Sequence, residues 1–200
     1  MMTDAAVDLH QRIANRIAEL RSAQAMTLDS LARRSGVSRS MISIIERAES
    51  SPTAVVLAKL ATALGVTMAS LFDDAAVPAP GAPSPVARRD DQVEWKDPAS
   101  GYRRRNISPP GVSQPMQIVD VHFPAGARVV FEQGMSESRV LQQVWILAGS
   151  MDITLGTVCH CLREGDCIAM HLDQQMVFSN STTKPAHYAV VLCTDVAARR

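Results

Sequence analysis

The residues best able to bind a metal ion stand together at Cys159, His160 and Cys161. Thiols and imidazoles are the usual ligands of zinc, and a pair of thiols also supports redox sensing. On a β-strand, however, Cys159 and Cys161 share one face while His160 points to the other. Because the three side chains then cannot hold one ion, we predict neither metal binding nor redox function from this triplet.

The other reactive side chains form no recognisable catalytic arrangement. His122, His171 and His187 are scattered, and no Ser-His-Asp or Cys-His set follows from their spacing. The start of the chain lacks a basic region followed by an apolar run, so we expect a cytoplasmic protein without a secretory signal. In that reducing compartment the four cysteines are expected to be small buried residues rather than disulfide partners.

Composition excludes several classes of protein. The 200 residues carry 20 Lys and Arg against 20 Asp and Glu, 46% are hydrophobic, and the mean hydropathy is +0.02. These values are typical of a globular chain, and no run approaches the roughly 18 apolar residues of a membrane span. Zero net charge excludes a uniformly basic coat, so any contact with nucleic acid must be local. The run Arg103–Arg105 is interpreted as solvated surface.

The chain divides into two parts joined by a proline-rich segment. Pro78, Pro80, Pro83 and Pro85 interrupt any regular structure and favour a semi-extended linker. Residues 1–72 carry eight basic and six acidic side chains, whereas residues 73–200 carry twelve and fourteen. We therefore predict a mildly basic domain at 1–72, a linker at 73–90 and a mildly acidic domain at 91–197.

Hydrophobic periodicity predicts five helices in the first domain. The first spans about residues 10–23, the second runs from a cap at Thr27 to Gly36, and the third begins after Ser38 with Met41, Ile42 and Ile45 facing inward. Ser51-Pro52 opens the fourth, which ends at Gly65. A short fifth helix covers residues 68–72.

Residues 27–47, TLDSLARRSGVSRSMISIIER, followed by Ser50-Ser51-Pro52-Thr53, closely resemble the helix-turn-helix of phage-repressor-like regulators, the XRE or HTH_3 family. The resemblance covers about residues 9–72 and implies a five-helix, lambda-repressor-like domain that binds double-stranded DNA. Ala48 departs from the family pattern, which usually has glycine there to end the third helix in a left-handed conformation.

The resemblance also implies which side chains approach DNA. Ser38 starts the recognition helix, Arg39 and Ser40 face base edges, and Ser43 lies one turn further along the groove. The residues expected near phosphates are Thr27, Arg47 and Ser50. Arg39 is the strongest candidate for base reading, since a guanidinium bonds bidentately to guanine. The alternative is a plain helical interaction module in which these arginines are solvated surface charges.

The second half of the chain has the pattern of an all-β domain. Short β-rich runs at residues 118–123, 128–131, 144–147, 151–155 and 188–192 alternate with turn sequences, which predicts a sandwich or barrel. Phe123-Pro124-Ala125-Gly126-Ala127, and residues 162–168 leading to Phe178-Ser179-Asn180, resemble the cupin family. This resemblance implies a double-stranded β-helix, or jelly roll.

The positions of the usual cupin metal ligands carry unsuitable residues. The motif alignment puts Ser136, Ser138, Gln142 and Met176 where the family has three histidines and a glutamate, and a spacing one residue longer aligns Met135 and Glu137, still without histidine. We therefore expect no metal and no cofactor in the β-domain. Loss of the metal removes the usual basis of cupin oxygenase or isomerase chemistry, so we predict that the protein is not an enzyme.

Binding of a small molecule is the function that remains for this domain. The candidate effector-binding residues combine apolar and polar side chains and are Arg139, Gln142, Gln143, Trp145, Met176 and Phe178. The alternative for each of them is that it simply fills the core. The two resemblances together imply a bacterial transcription factor that binds DNA as a homodimer, responds to an unidentified effector and does not associate with membranes. Two other classes remain open: a cupin enzyme with a DNA-binding anchor, and a toxin-neutralising or scaffold module.

Overall fold

The computed structural model describes residues 4–72, 84–111, 115–132 and 140–194, with side chains in the first helix from Leu9 onward. The described N-terminal part contains four α-helices: α1 (Asp4–Ala23), α2 (Leu28–Ser35), α3 (Arg39–Glu46) and α4 (Ala54–Ala63). The predicted fifth helix is instead a single 3₁₀ turn, Ala69–Phe72, so the prediction of five α-helices is wrong. The Thr67 hydroxyl accepts from the Ser70 amide, and the four residues are too few for α-helical hydrogen bonding to propagate.

Side-chain caps define where α2, α3 and α4 begin. The hydroxyls of Thr27 and Ser38 accept from backbone amides three residues on, at 3.1 and 3.2 Å, as the sequence predicted. The fourth helix is different, because Thr53 rather than Ser51 is the N-cap and the helix starts at Ala54. Gly36 ends α2 with φ of 67°, a left-handed conformation that favours glycine.

The β-domain is built from ten strands among the described residues. They are β1 (Glu94–Lys96), β2 (Arg103–Asn106), β3 (Met116–Phe123), β4 (Arg128–Phe131), β5 (Val140–Ala148), β6 (Ser150–Leu155), β7 (Val158–Arg163), β8 (Cys167–His171), β9 (Met176–Ser179) and β10 (Ala186–Thr194). They form a six-stranded sheet in the order β1-β2-β3-β10-β5-β8 and a four-stranded sheet in the order β4-β9-β6-β7. All the pairings are antiparallel.

The five predicted strands are present, and β1, β2, β7, β8 and β9 are additional. The most consequential addition is β2, which contains the arginine run that the sequence analysis interpreted as solvated surface. Successive side chains of a strand point to opposite faces, so Arg104 turns inward and is 8% exposed while Arg103 is exposed. The interpretation of this run as solvated surface is therefore wrong for Arg104, and also for Arg105, whose side chain is only 13% exposed and pairs with Asp120.

The helical part packs directly on the β-domain. The buried carboxylate of Asp97 accepts from the Ala54 amide at 2.9 Å and so completes the N-terminus of α4 from the other domain. Phe72 contacts Trp95 with ring centroids 5.7 Å apart. The Thr67 hydroxyl donates to Gln117 Oε1 at 2.6 Å. Among the described helices, none combines the length and apolar character needed to cross a membrane.

Candidate nucleic-acid interface and ligand cavity

The α2-turn-α3 unit presents a polar surface to solvent. Leu31, Val37, Ile42 and Ile45 are buried and fix the two helices against the rest of the helical core. The residues predicted to approach DNA all lie outside that core: Thr27, Ser38, Arg39, Ser40 and Arg47 are exposed, and Ser43 and Ser50 are half-buried. The structure thus brings the predicted residues together on the accessible side of α3 and its flanks.

Arg39 carries a weak intramolecular contact. Its Nε lies 3.3 Å from Asp29 Oδ1, and the two side chains are 64% and 63% exposed. An ion pair this exposed contributes about 0–1 kcal/mol. The guanidinium can therefore leave Asp29 for a base edge at little cost.

Arg47 is held more firmly by its own neighbours. Its Nε and one terminal nitrogen donate to both carboxylate oxygens of Glu49 at 2.7 and 2.9 Å, and the other terminal nitrogen donates to Ser43 Oγ. The hydrogen bonds from Arg47 lower the pKa of the Glu49 carboxyl. A DNA phosphate at this position has to compete with Glu49 for the same guanidinium.

An ion pair between α1 and α3 positions the recognition helix, and the sequence analysis missed it. Arg21 donates from Nε and a terminal nitrogen to both oxygens of Glu46, at 2.7 and 2.8 Å, and also donates to the Met26 carbonyl. The pair is largely buried, and the hydrogen bond to Glu46 raises the pKa of Arg21. The partners lie 25 residues apart, so no local pattern could have revealed the contact.

Two further residues of the α3 region, Met41 and Ala48, bear on the sequence analysis. Met41, expected to face inward, is 39% exposed on α3, where its apolar chain is available to a thymine methyl group. Ala48 ends the α3 region with φ of 56°, the left-handed conformation for which glycine is usual.

A cavity of about 160 Å³ lies between the β-domain and the helical part. Its wall on the helical side comes from residues on α4 or shortly after it: Ala58, Ala61, Thr62, Val66, Thr67 and Met68. The inward faces of both sheets supply the rest, including Phe178. An engineered apolar cavity of about 150 Å³ holds a benzene-sized molecule. The cavity therefore has room for a small organic compound that would touch both domains.

Polar groups enter one side of this cavity. Tyr102, Arg104 and Tyr188 line it, and the Arg104 guanidinium also stacks over the Phe72 ring at 5.1 Å. Burial raises the pKa of Tyr102 to about 12, and burial likewise raises the pKa of Tyr188 well above its ordinary value. Both hydroxyls therefore stay protonated at neutral pH and can donate hydrogen bonds beside a buried cation.

The structure separates the predicted effector-binding residues into two groups. Gln142, Met176 and Phe178 line the cavity. Gln143 and Trp145 are exposed on the opposite face of β5, so their predicted place in the cavity has to be corrected. Adjacent residues of a strand alternate between its faces, and Gln142 and Gln143 could not both point inward. Arg139 lies outside the described residues, as do Ser136 and Ser138.

The cavity lining does not suit a transition metal. Where the cupin motif expects imidazoles and a carboxylate, the described part of the chain offers the Gln142 amide and the Met176 thioether, with the Arg104 cation nearby. Groups of three His, Cys, Asp or Glu side chains close enough to share an ion do occur among the described residues, but neither such group lines the cavity. The positive charge of the buried Arg104 guanidinium would also repel a metal cation bound in the cavity.

A polar cluster lies on the outer face of the larger sheet. Asp120 accepts from Arg105 at 2.6 Å and from His187 at 2.5 Å, and the His122 ring stacks on His187 with centroids 4.2 Å apart. Burial alone would raise the pKa of Asp120, but the bonds from His187 and Arg105 lower it below its usual value. Burial and repulsion from His187 lower the pKa of His122.

Comparisons with known proteins agree with this architecture. The helix-turn-helix model HTH_3 matches residues 17–71. The HTH-type transcriptional regulator SutR of Escherichia coli (strain K12) is 24% identical over 183 residues, which cover 90% of this chain and 94% of SutR. The crystal structure of an HTH_3 family transcriptional regulator from Vibrio cholerae has a TM-score of 0.74 and 22% identity, covering 94% of this chain and 98% of that one.

A third likeness concerns the β-domain. The Cupin_2 domain of an XRE family transcriptional regulator from Enterobacter cloacae covers 46% of this chain and 95% of its own length, with 14% identity and a TM-score of 0.42. The cap-and-turn geometry at 27–47 and the family match at 17–71 concern the same helices. Residues 17–71 match the helix-turn-helix of the HTH_3 family, and over most of its length the chain is similar to HTH-type transcriptional regulators.

Proposed function

We propose that this regulator binds a specific operator as a homodimer in the cytoplasm and that a small molecule in the interdomain cavity changes its affinity for DNA. The observation that carries the proposal is the exposed side of α3, where Arg39 and Ser40 stand clear of the helical core. Seven predicted contact residues lie on that side or beside it, and none of them is needed to close the core. This arrangement suits insertion of α3 into the major groove.

The homodimer is supported by an apolar area on the outer face of the larger sheet. Met116 and Ile118 on β3 are 53% and 42% exposed there, and Leu141 and Trp145 on β5 are 45% and 51% exposed. Strand β10 lies between these two strands. A second copy of the chain is the occupant we propose, because one helix-turn-helix offers few base contacts and paired units read two half-sites about 34 Å apart. A symmetric dimer buries the same area on both subunits.

The dimer proposal is tested by Trp145→Glu. We expect the variant to sediment as a monomer at concentrations where the wild type is a dimer, because a charge replaces the aromatic centre of the interface. Binding to a two-half-site operator should weaken, while binding to a single half-site should not change. Lys96→Glu, an exposed charge change on β1, is the control. A wild-type monomer that occupies one half-site tightly would contradict the dimer.

The effector proposal rests on the shared wall of the cavity. A ligand that contacts Thr62, Val66 or Met68 as well as the β-domain favours some placements of the helical part over others. It can change DNA affinity only by the difference between its affinities for those placements. The cavity suits a compact molecule with an apolar body and a hydrogen-bond acceptor or anionic group directed at Tyr102, Arg104 and Tyr188.

Genomic mapping of the bound sites is the experiment that tests the proposed function and supplies effector candidates. We expect discrete two-fold sites, and the neighbouring genes indicate which metabolites to try.

With an effector in hand, Gln142→Ala should weaken the response at least several-fold and leave effector-free DNA affinity near normal. Gln143→Ala is the matched control, because this neighbouring side chain of the same type faces away from the cavity. An equal loss of the effector response in both variants would show that the effector does not bind in this cavity.

The absence of enzymatic activity is also proposed. At the expected ligand positions the described cavity lining offers the Gln142 amide and the Met176 thioether, which do not support the metal chemistry of cupin enzymes. The one carboxylate of this described lining, Glu132, is paired with Lys59 at 2.7 Å. A Cys159→Ser/Cys161→Ser variant, which removes two exposed thiols, should contain well under one equivalent of iron, manganese, nickel or zinc. Stoichiometric metal in that variant, with DNA binding or turnover lost on chelation, would favour the alternative of a cupin enzyme.

A further inference from the structure

A second cluster of potential ligands lies on the outer face of the smaller sheet, away from the cavity. Strands β6 and β7 pair with Asp152 opposite Cys161 and Thr154 opposite Cys159. The expectation that the cysteines are buried is wrong, because Cys159, Cys161 and Cys167 are exposed. Cys159 and Cys161 lie on the same face of β7, and the Asp152 carboxylate lies beside them on β6. The ligand atoms of Asp152, Cys159 and Cys161 all lie within 4.8 Å of one another.

The structure supplies the third ligand that the sequence could not. His160 points to the other face of β7, as predicted. The third potential ligand beside the two thiols is instead the carboxylate of Asp152. The nearby Asp152 carboxylate raises the pKa of the Cys161 thiol, and a bound cation would offset this effect by stabilising the thiolate. Ser181 Oγ donates to Asp152 Oδ2 at 3.0 Å and so restrains the orientation of the carboxylate.

We propose that Cys159, Cys161 and Asp152 form a surface site for a thiophilic divalent cation of the zinc type, with water completing the coordination. Zinc binds thiolates at about 2.3 Å and carboxylate oxygens at about 2.0–2.2 Å in tetrahedral geometry, which places neighbouring ligand atoms roughly 3.5–4 Å apart. Separations within 4.8 Å reach those values by side-chain rotation alone. Binding releases the thiol protons to solvent, and no redox step is involved.

The cluster of Asp120, His122 and His187 is the less suitable of the two groups. Its imidazole rings are nearly parallel, at 6°, so their in-plane lone pairs do not converge on one point. Arg105 already occupies one oxygen of Asp120 at 2.6 Å. The thiol cluster is exposed, and its soft ligands select zinc-like ions over magnesium or calcium.

The site is tested on the full-length protein, kept reduced with a phosphine, by titration with zinc and separately with cobalt. We expect one equivalent of zinc to bind with micromolar or tighter affinity, and cobalt to produce an ultraviolet thiolate-to-metal charge-transfer band. Cys159→Ser and Cys161→Ser should each weaken zinc binding by about tenfold or more and diminish the band. Asp152→Asn should weaken binding while keeping the band, because both thiolates remain.

Two controls and a second measurement separate this site from other thiols and from misfolding. Cys167→Ser, which removes another exposed thiol, and His160→Ala should bind zinc like the wild type. In the unaltered protein, zinc should protect Cys159 and Cys161 but not Cys167 from alkylation, as measured by mass spectrometry. Unchanged alkylation of both residues, or zinc affinity indifferent to Cys161→Ser and Asp152→Asn, would overturn the proposal.

Discussion

At the scale of single residues, the two arginines of the proposed DNA-binding surface differ in their intramolecular partners. Arg39 has a loose, exposed contact with Asp29, whereas Arg47 is bound by both oxygens of Glu49 and by Ser43. The sequence analysis predicted DNA contacts for both side chains but did not indicate their intramolecular partners. These partners determine how much intramolecular interaction energy each arginine loses when it binds DNA.

Arg39→Ala should therefore cost roughly 1–3 kcal/mol on the specific operator and little on random DNA. Arg47→Ala should weaken binding to all sequences alike and reduce the salt slope by about one. Affinities measured by fluorescence anisotropy at several salt concentrations separate the two effects. Glu49→Gln, which releases Arg47, should strengthen binding to every sequence. Equal losses of Arg39→Ala on specific and random DNA would contradict base reading.

The position of His122 on the larger sheet predicts a pH dependence of stability. The pKa of His122 is lower in the folded protein than its ordinary value near 6.5, so the unfolded chain binds more protons just below that pH. The free energy of unfolding should then decrease as the pH falls below about 6.5. Urea titrations from pH 7.5 to 5.5 should show this decrease in the wild type and a smaller one in His122→Gln. An identical profile in both proteins would exclude His122 as the cause.

At the scale of elements, helix ends show how far local pattern predicts structure. Thr27, Ser38 and Gly36 have the roles expected of them because caps and left-handed turns depend on residues only a few positions away. The start of α4 shifted to Thr53, and the predicted fifth helix became a 3₁₀ turn. Both are places where packing between the two domains contributes to the local conformation.

Ala48→Gly should stabilise the helical domain by up to about 1 kcal/mol. The left-handed conformation at φ of 56° costs an L-residue about 1–2 kcal/mol, and the greater flexibility of glycine in the unfolded chain offsets part of the gain. Thermal unfolding followed by circular dichroism measures the change. Ala18→Gly, in the middle of α1, is the control and should destabilise by about 1 kcal/mol. Destabilisation by both substitutions would show that Ala48 is not strained.

At the scale of the whole molecule, Asp97 links the two domains. Its carboxylate receives the Ala54 amide of α4 on one oxygen and the Ser100 amide and hydroxyl on the other. Asp97 is 2% exposed, so water cannot readily replace its carboxylate as the acceptor of these hydrogen bonds. Neither composition nor periodicity indicated that a residue beyond the linker completes a helix before it.

Asp97→Ala should cost about 1–3 kcal/mol, because the buried Ala54 amide loses its acceptor. We expect calorimetry to show the transitions of the helical and β-domains moving apart, since a contact between them is lost. Ser100→Ala, which removes only a partner within the β-domain, should leave the helical transition unchanged. A helical transition shifted equally by both variants would contradict the link.

The amino-acid sequence by itself determined the two-part organisation, the helix-turn-helix with its exposed polar residues, and the five strands with the clearest alternation. These features depend on spacing over fewer than about 20 residues, which side-chain period and capping chemistry encode. Only the tertiary structure decided that Arg104 is buried, that Trp145 faces outward, that Asp152 joins Cys159 and Cys161, and that both domains enclose the cavity. Each of these depends on strand register and domain packing, which bring together residues far apart in the chain, and no local pattern specifies such long-range pairing.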